Sequence, residues 1–424
     1  MADVEPLYAL HYDLSKVGGL QPVAAPPYDV IDAAQRAELV GRSPYNVVEV
    51  DLPVNGADIY GHAAEILARW NDDGIVVRDT TPALWALAQD YVGPDGTQRT
   101  RHGVFARVKV TDYGPGRIRP HERTHPGPKE DRLRLTRATR ANLSPIFSLY
   151  DDPANAAWNA VAPFTASEPW GTVTDEDGTY NRLWRIADPD AIAAVQAALE
   201  PSELLIADGH HRYETARVYA DEIGGEGDHR YVLMCLVALQ DDGLTVFPTH
   251  RLIKDTTPET QEALAAAIRE HFDVEEITTT DLRPPDGGGP LTMGYIDAHA
   301  QKAYRLTLKD QKIADDLLAD FPEAYRQLDT AVLESLLLTG PLGLTEDDIS
   351  HLRGLGYSRT DDEALELVRN GEYDAAFFLR ASPVQQVRDV AATGVNMPPK
   401  STYFFPKVPT GLLFNPLDGD TLER

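Results

Sequence analysis

The stretch Tyr231–Leu239 reads Tyr-Val-Leu-Met-Cys-Leu-Val-Ala-Leu, the longest apolar run in the chain and one without alternation. A strand with one face in water alternates apolar and polar side chains, whereas a strand covered on both faces does not. The run is also far shorter than the roughly 20 residues a membrane-spanning helix needs. It predicts a central strand of a sheet. Cys235 lies within it and is the one cysteine of the chain. No intrachain disulfide can form, which fits a soluble, cytoplasmic protein. The opening Met1-Ala2-Asp3-Val4-Glu5 is acidic and leads into no long apolar stretch, so no signal peptide is expected.

Such a strand has to be covered, and the rest of the 424 residues supply helical patterns to do it. Apolar spacing predicts helices over 32–41, 59–72, 189–199, 257–271, 323–338, 361–370 and 383–393. Residues 83–91 and 100–110 read as a hairpin around Gly93-Pro94-Asp95-Gly96. Further strands are expected at 146–150, 183–186, 244–247 and 374–380. Thr257 suits an N-cap, and Pro258 the first helical position. The alternation predicts an α/β (α+β) fold. The length suggests two domains, 1–254 binding nucleotide and carrying catalysis, and 255–424 with an extended tail that completes the site. Residues 284–290 read as a loop or linker.

Charge narrows the partners. The chain carries a formal −28, which repels nucleic acid and anionic lipid. Neither is expected as a partner; a homodimer is compatible with the sequence. Residues 117–140 reverse the sign locally, with eight basic side chains against three acidic ones. A small anionic ligand suits that segment, as does a solvated helix face of mixed charge.

The stretch Leu204-Leu205-Ile206-Ala207-Asp208-Gly209-His210-His211-Arg212 runs from a predicted strand through a turn into a predicted helix. A helix N-terminus leaves backbone N–H groups unpaired and carries partial positive charge, so it is a ready phosphate site. Gly209 permits a sharp turn or close approach of a ligand. Arg212 can grip a phosphate through two hydrogen bonds. His210 and His211 add donors or handle a proton. Asp208 suits a helix cap, a metal ligand or a base. His210 and Glu214 have i, i+4 spacing, but no third zinc ligand stands at a recognisable spacing.

Two further clusters carry chemistry. His121 and Glu122 sit in the proline-bounded run Arg119–His125, where either suits a general base. The segment Asn396–Gly411 is extended, bracketed by prolines, and holds Lys400 and Lys407, which could reach a nucleotide. Lys400-Ser401-Thr402 lacks the glycine spacing of a P-loop.

These pieces resemble a bacterial family known as domain of unknown function 1015. The resemblance rests on Pro26-Pro27-Tyr28-Asp29-Val30, His121-Glu122-Arg123-Thr124, Asp131-Arg132, Asn142-Leu143-Ser144-Pro145-Ile146-Phe147, Ala207–Arg212, Thr249-His250-Arg251 and Asn396–Lys407. Asp208–Arg212 also resembles the nucleotide-phosphate motif of the ParB/sulfiredoxin-like superfamily, which includes free-serine kinases. That resemblance implies a ParB/sulfiredoxin-like nucleotide-binding core with an additional C-terminal α/β portion. Sulfiredoxin chemistry needs a reactive cysteine, and Cys235 sits in an apolar strand. ParB-type DNA binding needs a basic reading surface, against −28 here.

The expected function is an ATP-dependent kinase that phosphorylates the hydroxyl of a small amino acid, foremost free L-serine. Gly209, His210, His211 and Arg212 would hold the nucleotide phosphates, with Lys400 and Lys407 closing over them. Asp208 would bind Mg²⁺, an ion that prefers oxygen ligands. The resemblance to the serine kinases implies a glutamate base upstream of the motif, for which Glu122 is the candidate and His121 the alternative. Arg123, Lys129 and Arg132 would neutralise charge or hold the substrate carboxylate. The alternatives are a nucleotide sensor without catalysis and a metal-assisted phosphohydrolase using His210 and Glu214.

Overall fold

The computed structural model describes residues 2–418 except 55, 125, 286, 288, 300 and 301. His125 and parts of the expected loop 284–290 therefore lie outside the described residues. The protein is a mixed α+β structure in two compact units. The first comprises Met1–Pro120, Thr124–Thr245 and Pro406–Arg424; the second comprises His121–Arg123 and Val246–Phe405.

Among the described residues the first unit is built on a nine-stranded mixed sheet. Its path runs Ile118–Arg119, Leu204–Asp208, Ile146–Tyr150, Tyr231–Ala238, Gln98–Lys109, Leu84–Val92, Tyr180–Ile186 and Gly171–Thr174, with Val4–Glu5 pairing beside Gln98–Lys109. Tyr231–Ala238 is the interior strand its composition predicts, parallel to Ile146–Tyr150 and antiparallel to Gln98–Lys109. One sheet face packs Val104, Ala106, Met234 and Leu236 against Val195, Leu199 and Tyr213 of two helices. A separate core gathers Leu39, Val48, Leu67 and Trp70 from helices with Leu143 and Phe414. Phe414 comes from the C-terminal tail, whose backbone pairs with Leu10 and, through Thr410, with Ala25.

The second unit holds a six-stranded antiparallel sheet. Its order is Phe272–Ile277, Ala303–Leu308, Thr292–Asp297, Ala375–Phe378, His250–Ile253, Leu355–Ser358. Helix Pro258–His271 begins where its sequence says, with Thr257 and Thr260 in a reciprocal capping box. The helix expected over 323–338 is broken instead. It forms Glu323–Arg326 and Asp329–Leu333, then a π-helical turn over Glu334–Leu338. Leu328 between the pieces is extended and fully buried. Asp329 is held by a two-pronged ion pair with Arg380, at 2.8 and 2.7 Å. A buried leucine and a distant arginine thus override a continuous helical periodicity.

Candidate functional site

Strand Leu204–Asp208 pairs with Ile146–Tyr150 until its register slips between Ile206 and Asp208. Such a bulge re-aims the side chains beyond it. Asp208 then lies opposite Phe147, and Phe147 opposite Cys235 on the next strand. Gly209 follows at φ 96°, in the left-handed region. Helix His210–Ile223 starts there with no side-chain cap on its N-terminus. That end keeps the donor-rich, positive character of an uncapped helix.

Asp208 is wedged between two cations. One oxygen accepts from Lys407 Nζ at 2.9 Å, the other from Arg212 Nη2 at 2.9 Å. Burial pushes its pKa up, but Lys407 and Arg212 outweigh that and hold it well below the usual carboxylate range. Arg212 also donates to the Pro145 carbonyl. Its guanidinium lies against the turn, so that a Cβ on Gly209 would stand 3.0 to 3.2 Å from it. The Lys407 carbonyl in turn accepts from Gln89 at 3.0 Å, tying the tail to strand Leu84–Val92. His210 is buried and His211 half-buried.

A second layer supports this turn. Arg132 is buried, donates to the Asp51 carbonyl and carboxylate, pairs with Asp131 at 2.7 Å, and stacks over the Tyr28 ring at 4.0 Å. Ser144 donates to Asp51 at 3.0 Å. Burial raises the Asp51 carboxyl, and Arg132 opposes it. Burial lifts Tyr28 to about 12. A cavity of about 40 Å³ between Asp51, Arg132, Ser144 and Arg212 has room for a water. Lys129 is half-buried on helix Pro126–Thr139.

His121, Glu122, Arg123 and Lys400 belong to the second unit. His121 is fully buried; its carbonyl accepts from Met397 N at 2.8 Å, and its Nε2 lies 2.9 Å from Thr402 Oγ1. Glu122 is partly exposed, 4.0 Å from the His121 ring. Arg251 is buried and donates to the carbonyls of Thr249, Pro399 and Lys400. That grip holds the turn in which Lys400 takes φ 54°. Arg123 is exposed and meets Glu346 at 2.6 Å.

The structure thus brings Asp208–Arg212 and Lys407 together in one unit, and His121, Glu122 and Lys400 together in the other. Sequence reasoning assigned no role to Tyr28, Ser144, Pro145 or Arg251, although each lies in a segment that carried the family resemblance. Asp51 had no such signal, because in sequence it only ends a short apolar run. Among the described residues no group of three or more His, Cys, Asp or Glu is arranged to hold a metal ion. No described helix is long and apolar enough to cross a membrane.

Fold and site define a mixed α+β protein organised around a strand–glycine–helix turn with an ionised aspartate at its mouth. The family described as "Protein of unknown function (DUF1015)" matches residues 4–331, and the chain belongs to it. No curated protein matches the chain. The solved structures similar to the chain at low identity include the following three. One is a conserved hypothetical protein from Pyrococcus furiosus, at 15% identity and TM-score 0.36, covering 73% of this chain and 93% of that one. Another is a free serine kinase in complex with AMP, at 15% and 0.37, covering 71% and 86%. The third is SbnI with C-terminal truncation from Staphylococcus aureus, at 12% and 0.33, covering 72% and 84%.

Proposed function

We propose that this protein is an ATP-dependent kinase acting on the hydroxyl of a small amino acid, foremost free L-serine. The observation that carries the reading is the uncapped N-terminus of helix His210–Ile223, opening at a left-handed glycine beside Lys407, Arg212 and ionised Asp208. Backbone donors, a point charge and a close-approach glycine are what a phosphate chain requires.

Each residue then has a task. The turn at Gly209, His210 and His211 offers donors to phosphate oxygens. Lys407 supplies a positive charge held beside the turn by its ion pair with Asp208. Arg212 spans Asp208 and the Pro145 carbonyl, so it stiffens the turn as well as adding charge. Asp208 is an ionised oxygen donor and fits Mg²⁺ by type, although both its oxygens already accept from cations. Bound Mg²⁺ would neutralise phosphate charge. Arg132 acts as a positioning residue, because its guanidinium is committed to Asp51, Asp131 and Tyr28. In the transfer the hydroxyl oxygen attacks the γ-phosphorus, the bond to ADP breaks, and Glu122 takes the hydroxyl proton. His121 is buried and hydrogen-bonded, which suits orienting Glu122 rather than acting as base. Arg123, which pairs with Glu346 at the surface, Lys129 and Lys400 are the candidates for the substrate carboxylate and outer phosphates.

The test is turnover with Mg²⁺, ATP and a pool of hydroxylated amino acids, read by mass spectrometry. A product one phosphoryl group heavier than serine, formed with ADP, is expected. Glu122→Gln should lower turnover about 10²- to 10⁴-fold with ATP affinity kept. Lys407→Met should weaken ATP binding roughly 10- to 100-fold. ATP bound without any product would make the protein a nucleotide sensor. No ATP binding would sink the phosphate-site reading.

A further inference from the structure

Three polar side chains stand in one row across the sheet of the first unit. Asn181 lies directly opposite Gln89, and Gln89 directly opposite Arg101, on three neighbouring strands. Each is 1% exposed. Two residues along, the same face carries Leu183, Leu87 and Gly103. The row is therefore a polar line in an otherwise apolar, covered surface.

A buried arginine is ordinarily paired with a carboxylate. Arg101 instead gives its Nε, at 3.0 Å, and its Nη2 to one neutral oxygen, Gln89 Oε1. Its guanidinium lies 4.4 Å from the centre of the Phe147 ring, and its Nη1 has no hydrogen-bond partner among the described residues. Burial lowers its pKa to about 10. A charge held this way is a poor device for stability, because apolar side chains of similar volume serve a core as well or better.

The arrangement does fix the direction of an amide. Arginine only donates, so the Gln89 oxygen has to face it and the Gln89 nitrogen has to face away. That nitrogen donates to Asn181 Oδ1 at 2.7 Å and to the Lys407 carbonyl at 3.0 Å. Asn181 is oriented in turn, because its own nitrogen donates to the carbonyls of Val173 and Thr179, each at 3.2 Å. Both Gln89 amide hydrogens are thus committed, one of them to the tail. Lys407 follows Pro406 and stands two residues before Pro409, so its backbone has few alternatives. Holding its carbonyl aims its side chain, whose Nζ meets Asp208 at 2.9 Å.

We infer that Arg101 is a positioning residue for the phosphate turn. Through the Gln89 amide it holds the Lys407 backbone where Nζ meets Asp208 and, in the kinase reading on which this inference rests, the nucleotide phosphates. It acts through Gln89 and Lys407, not on the nucleotide.

Two variants separate this role from a contribution to folding. Arg101→Met leaves Gln89 Oε1 buried without a donor, so stability and the placement of Lys407 should both suffer. Arg101→Met/Gln89→Leu replaces both partners with apolar side chains, which should restore stability while leaving the Lys407 carbonyl without its donor. The full-length protein is read three ways: urea midpoint, ATP binding by calorimetry, and acetylation of Lys407 by acetic anhydride against exposed Lys16, followed by mass spectrometry. The Lys407 side chain is 15% exposed and ion-paired, so in the wild type it should react slowly. The double variant is expected to unfold near the wild-type midpoint, to acetylate Lys407 about ten-fold faster and to bind ATP about ten-fold more weakly, on the order of one hydrogen bond.

Wild-type protection of Lys407 in the double variant overturns the proposal, including protection lost in Arg101→Met and regained with stability. So does a double variant that is unfolded or less stable than Arg101→Met, because the charge would then serve folding. Where the wild type binds ATP, unchanged affinity in the double variant overturns the proposal and leaves the phosphate site standing. A wild type that binds no ATP, with Lys407 still released in the double variant, sinks the nucleotide reading and keeps the positioning role. Should Arg101→Met fail to fold, the double variant decides alone.

Discussion

At Gly209 an added methyl group faces two separate obstacles. The backbone sits at φ 96°, where residues with a Cβ are strained, and the new atom would stand 3.0 Å from Arg212 Nε. Gly209→Ala is expected to cost about 1–3 kcal/mol by urea unfolding. It should also weaken ATP binding, because Arg212 must shift and Asp208 with it. A variant with wild-type stability and affinity would show that the turn is looser than this contact implies. The glycine and the basic residues after it were legible as a turn in the sequence. Their occupation was not: Arg212 is bound to Asp208 and Pro145, and Lys407 reaches Asp208 from 199 residues away.

Among the elements, the hairpin of Gly171–Thr174 and Tyr180–Ile186 carries an acidic turn with its own pH dependence. Burial lifts Asp175 to about 7, against a hydrogen bond from Asn181 that lowers it. The folded protein therefore holds this proton more tightly than the unfolded chain, whose aspartate titrates at about 3.9. Stability contributed by Asp175 is full below that value and falls as pH rises through about 7. Asp175→Asn should remove this loss, so that between pH 5 and 8 its urea midpoint declines less than that of the wild type. Parallel profiles would refute the shift. Unlike the pairing strand Gly171–Thr174, which is not among the expected strands, the strand expected at 183–186 and the capped helix at Thr257 follow from local pattern, because alternation and capping act within a few residues. The break at Leu328 does not, because it depends on Arg380 and on burial that a periodicity cannot express.

For the whole molecule, the interior strand Tyr231–Ala238 supplies a built-in reporter. Cys235 is fully buried, and burial raises its thiol to about 12. Thiol reagents at pH 8 should label it at the rate of opening of the first unit and fast only in denaturant. Rapid stoichiometric labelling of the native protein would contradict the packing of that strand. The apolar run identified this strand because a segment covered on both faces has no polar side to present. Prolines likewise marked the tail as extended. Its destination came from elsewhere: Phe414 enters a core with Leu39 and Trp70, and Asn415 pairs with Asn142.

The sequence alone determined the α+β class, the helix capped at Thr257, the strand–glycine–helix turn and the family, since each depends on neighbours along the chain or on motifs read in order. Tertiary structure decided which charges meet. It set Lys407 against Asp208, Arg132 against Asp51, and Arg251 against the Lys400 turn. The reason is physical: periodicity and capping act over a few residues, whereas ion pairing and desolvation depend on distances in space that a linear pattern does not contain.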